Sequence, residues 1–114
     1  MSKFTSIHGV GVGGDAPLLI ISGPCVLESE NQALHIASTL QNICSEVGVG
    51  FIFKGSFDKA NRTSMHSNRG PGIQGGLDIL QFVKEQLGVP VTTDVHEPAQ
   101  ASKVAQVADI LQVP

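Results

Sequence analysis

Leu18-Leu-Ile-Ile-Ser-Gly23 is an almost unbroken apolar run that ends in Gly-Pro, and its reading decides the fold. A run without polar alternation suits a strand buried on both faces, as in a parallel sheet. Parallel strands need a crossover, and the next stretch supplies one. Ser29 with Gln32 three residues on has capping-box spacing. Behind it Ala33, Ile36, Ala37, Leu40, Ile43, Cys44 and Val47 recur at helical spacing. Gly48 stands where a C′ glycine ends a helix. Phe51-Ile-Phe-Lys54 reads as a second strand. Leu77, Leu80, Val83 and Leu87 mark a second amphipathic helix, stopped by Gly88, and Val89 to Val95 a third strand. Pro98 suits the first turn of a third helix carrying Ala101, Val104, Ala105 and Ala108. Asp109-Ile-Leu-Gln-Val-Pro114 is a fourth strand.

Strands alternating with helices specify an α/β fold with parallel pairing and right-handed crossovers. At this spacing eight strands need about 200 residues or a little more, the size of a (β/α)₈ barrel. The fourth strand has no helix after it to cover one face, so residues 1–114 read as the first half of such a barrel domain. Ahead of the first strand, Ser6-Ile-His-Gly-Val-Gly-Val-Gly-Gly-Asp15 alternates weakly and is glycine-rich. It reads as a small hairpin or an unstructured lead-in.

Composition narrows the function classes. The 114 residues are 41% hydrophobic, enough for one modest core, and the net charge of −3 argues against general nucleic-acid or membrane-surface binding. Without Trp or Tyr, stacked-base recognition has little to work with. No run approaches the roughly 18 apolar residues of a membrane span. The N-terminus lacks a signal peptide's apolar region. Cys25 and Cys44 make no disulfide framework, so the expectation is a reduced, cytoplasmic protein.

Positive charge is nonetheless concentrated. Lys54 to Arg69, KGSFDKANRTSMHSNR, holds four of the seven Lys and Arg residues with a single acid, Asp58. Such a cluster in a mildly acidic chain looks like a site for a small anion. In parallel α/β folds chemistry collects at the carboxyl ends of the strands. There stand Cys25 and Glu28 after the first strand, and Lys54, Ser56, Asp58, Lys59, Asn61, Arg62 and Ser64 at and after the second. Asp94, His96 and Glu97 follow the third, and Gln112 lies on the fourth. The opposite rim offers mostly Gly48, Gly50, Gly88 and Pro90, which are stops and turns. Plainer readings stand beside these. Lys54 also reads as a strand-end lysine reaching for solvent, and Lys59 and Arg62 as solvated loop charges. Cys25 taken alone is a small core residue, Cys44 belongs to a helix stripe, and His96 with Asp94 reads equally as a surface turn. His8 and His35 carry no signal.

At Lys59-Ala-Asn-Arg-Thr-Ser64 the chain resembles the 3-deoxy-D-manno-octulosonate 8-phosphate synthases, also called 2-dehydro-3-deoxyphosphooctonate aldolases. The resemblance extends to Ser22-Gly-Pro-Cys-Val-Leu-Glu-Ser29, Phe53-Lys-Gly-Ser-Phe-Asp-Lys-Ala-Asn-Arg62, Arg69-Gly-Pro-Gly72, Thr93-Asp-Val-His-Glu-Pro98 and Ile110-Leu-Gln-Val-Pro114. It implies a (β/α)₈ barrel, usually a homotetramer, whose floor is closed by a hairpin at Ile7 to Gly14. It also implies condensation of phosphoenolpyruvate with D-arabinose 5-phosphate, for lipopolysaccharide synthesis. Both substrates are phosphorylated, which accounts for the cationic loop. On this resemblance Lys54, Ser56, Lys59 and Gln112 serve phosphoenolpyruvate, and Asn61 and Asp94 serve the sugar. Arg62, Thr63 and Ser64 reach the sugar phosphate across a subunit boundary. Lys59, Asn61 and Asp94 are the expected catalytic residues.

Cys25 matches the metal-dependent members of that family, which carry Cys where metal-independent ones carry Asn. A thiolate favours a softer divalent ion such as zinc or iron, and the resemblance implies a divalent metal cofactor, zinc, iron or manganese. The other expected ligands, a His, a Glu and an Asp, are not among these residues. The family's length is more than twice that of the chain, so the 114 residues alone are expected to be inactive. Three other readings compete. The related 3-deoxy-D-arabino-heptulosonate 7-phosphate synthases use erythrose 4-phosphate and carry Lys-Pro-Arg where Lys59-Ala-Asn-Arg62 stands. Sialic-acid-type synthases are disfavoured by the same motif. A non-catalytic half-barrel that binds phosphate ligands or a partner chain is the reading from another class.

Overall fold

Strand pairing follows chain order in the computed structural model, which describes residues 3–58 and 71–114. An antiparallel hairpin comes first, β1 (Phe4–Ile7) and β2 (Val10–Gly13). Its turn residues His8 and Gly9 both have positive φ, 46° and 84°, the condition for a two-residue turn matched to strand twist. The hairpin therefore begins three residues before the expected Ile7.

The parallel sheet then runs β3 (Leu19–Ser22), β4 (Gly50–Lys54), β5 (Val91–Asp94) and β6 (Ile110–Gln112), in that spatial order. Between them lie α1 (Glu30–Val47), α2 (Gly72–Leu87) and a 3₁₀ turn (Pro98–Gln100) that continues into α3 (Ala101–Val104). This is an α/β chain with a parallel sheet and crossover helices, as expected.

The helix signals act at atomic detail. Ser29 is the N-cap of α1, and its side chain accepts the Gln32 N–H at 3.0 Å. The Gln32 side chain accepts from Glu28 N–H rather than from the cap's own amide. Gly48 and Gly88 close α1 and α2 in the left-handed conformation. The third helix is shorter than its apolar spacing predicts. It ends at Val104, and Ala105 and Ala108 lie beyond it. Val104 and Ala108 still pack into the core, so their spacing reports burial rather than helix length.

Residues alternate between the faces of a strand. Phe51, Phe53 and Val91 join Ala33 and Ala37 of α1, Leu80 and Val83 of α2, and Val104 in one core. Pairing of Ile21 with Ile52, Lys54 with Thr92, Thr92 with Ile110 and Asp94 with Gln112 puts these residues on the other face. That face carries polar groups toward the carboxyl ends of its strands.

Candidate functional site

Lys54, Asp94 and Gln112 are the last residues of β4, β5 and β6. They share one sheet face because each lies an even number of positions from a cross-strand pair on that face. Lys54 is half-buried. Among the described residues no ion pair reaches its ammonium, so its charge is available to a ligand. Together with Ile21, Ser22, Gly23, Pro24, Cys25 and Ser56 it lines a cleft of about 230 Å³. Gly23 makes that cleft possible. A Cβ there would lie 1.7 Å from the Lys54 carbonyl oxygen, so only glycine lets the chain after β3 pass so close to the end of β4.

Asp94 is 5% exposed, and a buried carboxylate is costly unless held by partners. Here both oxygens are engaged. Ser56, itself 1% exposed, donates its hydroxyl to Oδ1 at 2.5 Å. His96 Nε2 faces Oδ2 at 3.0 Å. The same His96 nitrogen lies 3.0 Å from the Asp58 carbonyl oxygen, where the stretch after β4 leaves the described residues. Phe57 supports the imidazole edge-on, with ring centroids 6.1 Å apart. Ser56, Asp94 and His96 thus form one hydrogen-bonded chain between the ends of two strands. Beside it, Val95 N–H donates to the Gln112 carbonyl at 2.9 Å and extends the pairing past Asp94.

The structure brings together Lys54, Ser56, Asp94, Gln112 and Cys25 on one rim. The expected Lys59, Asn61, Arg62, Thr63 and Ser64 lie outside the described residues. His96 does stand at an exposed bend, as the surface-turn reading has it, and its side chain is also tied to Asp94. The legible signal was its position two residues after a strand-ending Asp. Another ionisable contact was missed altogether. His8, which carried no signal, pairs with Asp109 at the opposite rim.

Cys25 is exposed and offers a single sulfur donor at the cleft. Among the described residues no group of three or more His, Cys, Asp or Glu side chains could hold a metal ion. These residues therefore do not form a metal centre by themselves. No helix among the described residues is long and apolar enough to cross a membrane.

The profile of the DAHP synthetase I family matches residues 2–114. The 2-dehydro-3-deoxyphosphooctonate aldolase of Geobacter sulfurreducens is 52% identical over 114 residues, covering 100% of this chain and 42% of that protein. The protein of the same name from Geotalea daltonii is 49% identical over the same span. The one from Legionella pneumophila (strain Corby) is 54% identical over 106 residues, covering 93% of this chain and 39% of its own length. The chain thus spans well under half of the curated relatives it matches.

Proposed function

The chain belongs to the DAHP synthetase I family, and on that premise we propose that the whole protein condenses phosphoenolpyruvate with D-arabinose 5-phosphate. The products are 3-deoxy-D-manno-octulosonate 8-phosphate and inorganic phosphate. The observation that carries this reading is the rim at Lys54, Asp94 and Gln112, in a chain matched end to end by relatives named for that chemistry. In this reading residues 1–114 are the first half of a (β/α)₈ barrel, and the whole protein is a cytoplasmic homotetramer.

The chemistry asks little of acids and bases and much of positioning. C3 of the enol phosphate adds to the sugar aldehyde, whose oxygen takes up a proton, water adds at C2, and phosphate leaves as the bond from C2 to its bridging oxygen breaks. Two anionic substrates must be held side by side, so cations have to offset their repulsion. Lys54 fixes the phosphoenolpyruvate end from a rigid strand, with Gln112 beside it. Lys59 supplies the second cation. Asn61 and Asp94 take the sugar, and Ser56 keeps Asp94 oriented. Arg62, Thr63 and Ser64 bind the sugar phosphate of a neighbouring subunit, where Arg62's planar fork suits phosphate oxygens. Cys25 provides one ligand to a divalent ion, which lends positive charge to the site. The remaining ligands would come from the part of the whole protein beyond residue 114.

The test is phosphate release by the whole protein from phosphoenolpyruvate with either D-arabinose 5-phosphate or erythrose 4-phosphate. Turnover dependent on the five-carbon sugar supports the proposal. Preference for erythrose 4-phosphate moves the assignment to the heptulosonate synthases, and turnover with neither removes the synthase reading. For the ion, Cys25→Asn is expected to lower the bound metal per subunit in elemental analysis. Unchanged metal content takes Cys25 out of the ligand set.

A further inference from the structure

The rim opposite the candidate site holds a second polar cluster. Asp109 lies one residue before β6, and its side chain is 3% exposed. Its Oδ1 faces His8 Nε2 at 2.6 Å and Lys84 Nζ at 3.2 Å. Its Oδ2 accepts the Val91 N–H at 2.8 Å. The Asp109 N–H in turn donates to the Val91 carbonyl at 2.8 Å, and Lys84 donates to the Val107 carbonyl at 2.8 Å. One residue therefore gathers the hairpin turn, α2, the start of β5 and the lead-in to β6.

Backbone and carboxylate of Asp109 both grip Val91, which fixes where β6 begins to pair with β5. Three residues further along each strand, the same register sets Gln112 opposite Asp94. It also gives the Val95 N–H its Gln112 partner. β6 is only three residues long and has a single neighbour, so its own ladder specifies register weakly. A slip of one residue would turn Gln112 to the helix-covered face. The hairpin is held differently. Among the described residues, the His8–Asp109 pair is the one side-chain polar link between the hairpin and the rest of the chain. Most of β1 is exposed.

We propose that Asp109 is a positioning residue with two separable tasks. Through Val91 it sets the β5–β6 register that presents Gln112 beside Asp94, and through His8 it latches the hairpin to the barrel's amino-terminal rim. The catalytic consequence rests on the reading of Gln112 as a phosphoenolpyruvate contact.

Amide hydrogen exchange and steady-state kinetics of the whole protein test both tasks. His8→Ala is expected to speed exchange across Phe4–Gly13 about ten-fold, as local opening does, while Val95 exchange and KM stay as in wild type. Asp109→Leu is expected to speed Val95 exchange and to raise KM for phosphoenolpyruvate, each about ten-fold, with a smaller fall in kcat. Asp109→Asn keeps an acceptor for the Val91 N–H. It is expected to restore Val95 protection and KM while leaving the hairpin as loose as in His8→Ala. Wild-type Val95 exchange in Asp109→Leu, or failure of Asp109→Asn to restore it, overturns the register task. An unchanged hairpin in His8→Ala overturns the latch. If Asp109→Leu does not fold, Asp109→Ser, which is too short to reach Val91, is read in the same way. Val95 exchange reports register without any substrate, so loss of the synthase reading leaves this proposal decidable.

Discussion

Asp94 shows how a single buried charge organises the rim. Its two oxygens are held by Ser56 and His96, so the carboxylate has a fixed direction before any ligand arrives. Ser56→Ala removes one partner of a buried acceptor. The expected cost in the whole protein is about 1–3 kcal/mol of stability, read as a lower urea midpoint. A midpoint equal to wild type would mean that the hydroxyl does not hold Asp94. Lys59 belongs to the same scale. If it provides charge to the transition state, Lys59→Ala lowers kcat by about 10²–10³ without lowering the unfolding midpoint. Near-normal kinetics would make it a solvated loop residue.

Elements owe their limits to a few positions. The N-cap Ser29 and the C-terminal Gly48 bracket α1 where the spacing said they should. α3 departs from its pattern because Ala105 to Ala108 turn back toward β6, with Ala108 N–H on the Val104 carbonyl and Asp109 N–H already on Val91. The tightest constraint is at the end of β3. Gly23→Ala would drive a methyl into the Lys54 carbonyl, and something must shift. The expected penalty is about 1–3 kcal/mol in the whole protein, together with a raised KM for phosphoenolpyruvate as Lys54 moves. A stable variant with unchanged KM would show that β3 and β4 can separate without harm to the site.

At the scale of the molecule, the helices cover one sheet face, and among the described residues no further strand pairs with either edge, β3 or β6. Ile21 on β3 with Leu18 just before it, and Leu111 on β6 with Val113 just after it, are exposed. Open edges with apolar side chains recruit further strands. The 114-residue chain produced alone is therefore expected to self-associate, seen by sedimentation velocity as species heavier than 11.9 kDa. A stable monomer with native-like circular dichroism would mean that these edges need no cover, and would strengthen the half-barrel reading. In the (β/α)₈ reading the same edges pair with later strands.

The order of strands and helices, the helix stops and the parallel pairing were legible in the residues. Local backbone preference and burial period leave their mark along the chain itself. So did membership of the polar rim, because strand ends can be counted: Lys54, Asp94 and Gln112 fall on it from sequence alone. Three things were decided only by the tertiary structure. His96, at an exposed bend, bridged Asp94 and the Asp58 carbonyl, Ser56 became a buried donor, and Asp109 joined His8 and Lys84 at the far rim. Each depends on a contact between residues far apart in the chain: 38 positions for Ser56 with Asp94 and for His96 with the Asp58 carbonyl, 25 for Lys84 with Asp109, and about 100 for His8 with Asp109. Such contacts leave no local period in the sequence. They exist only once the sheet has brought distant strand ends within hydrogen-bonding reach.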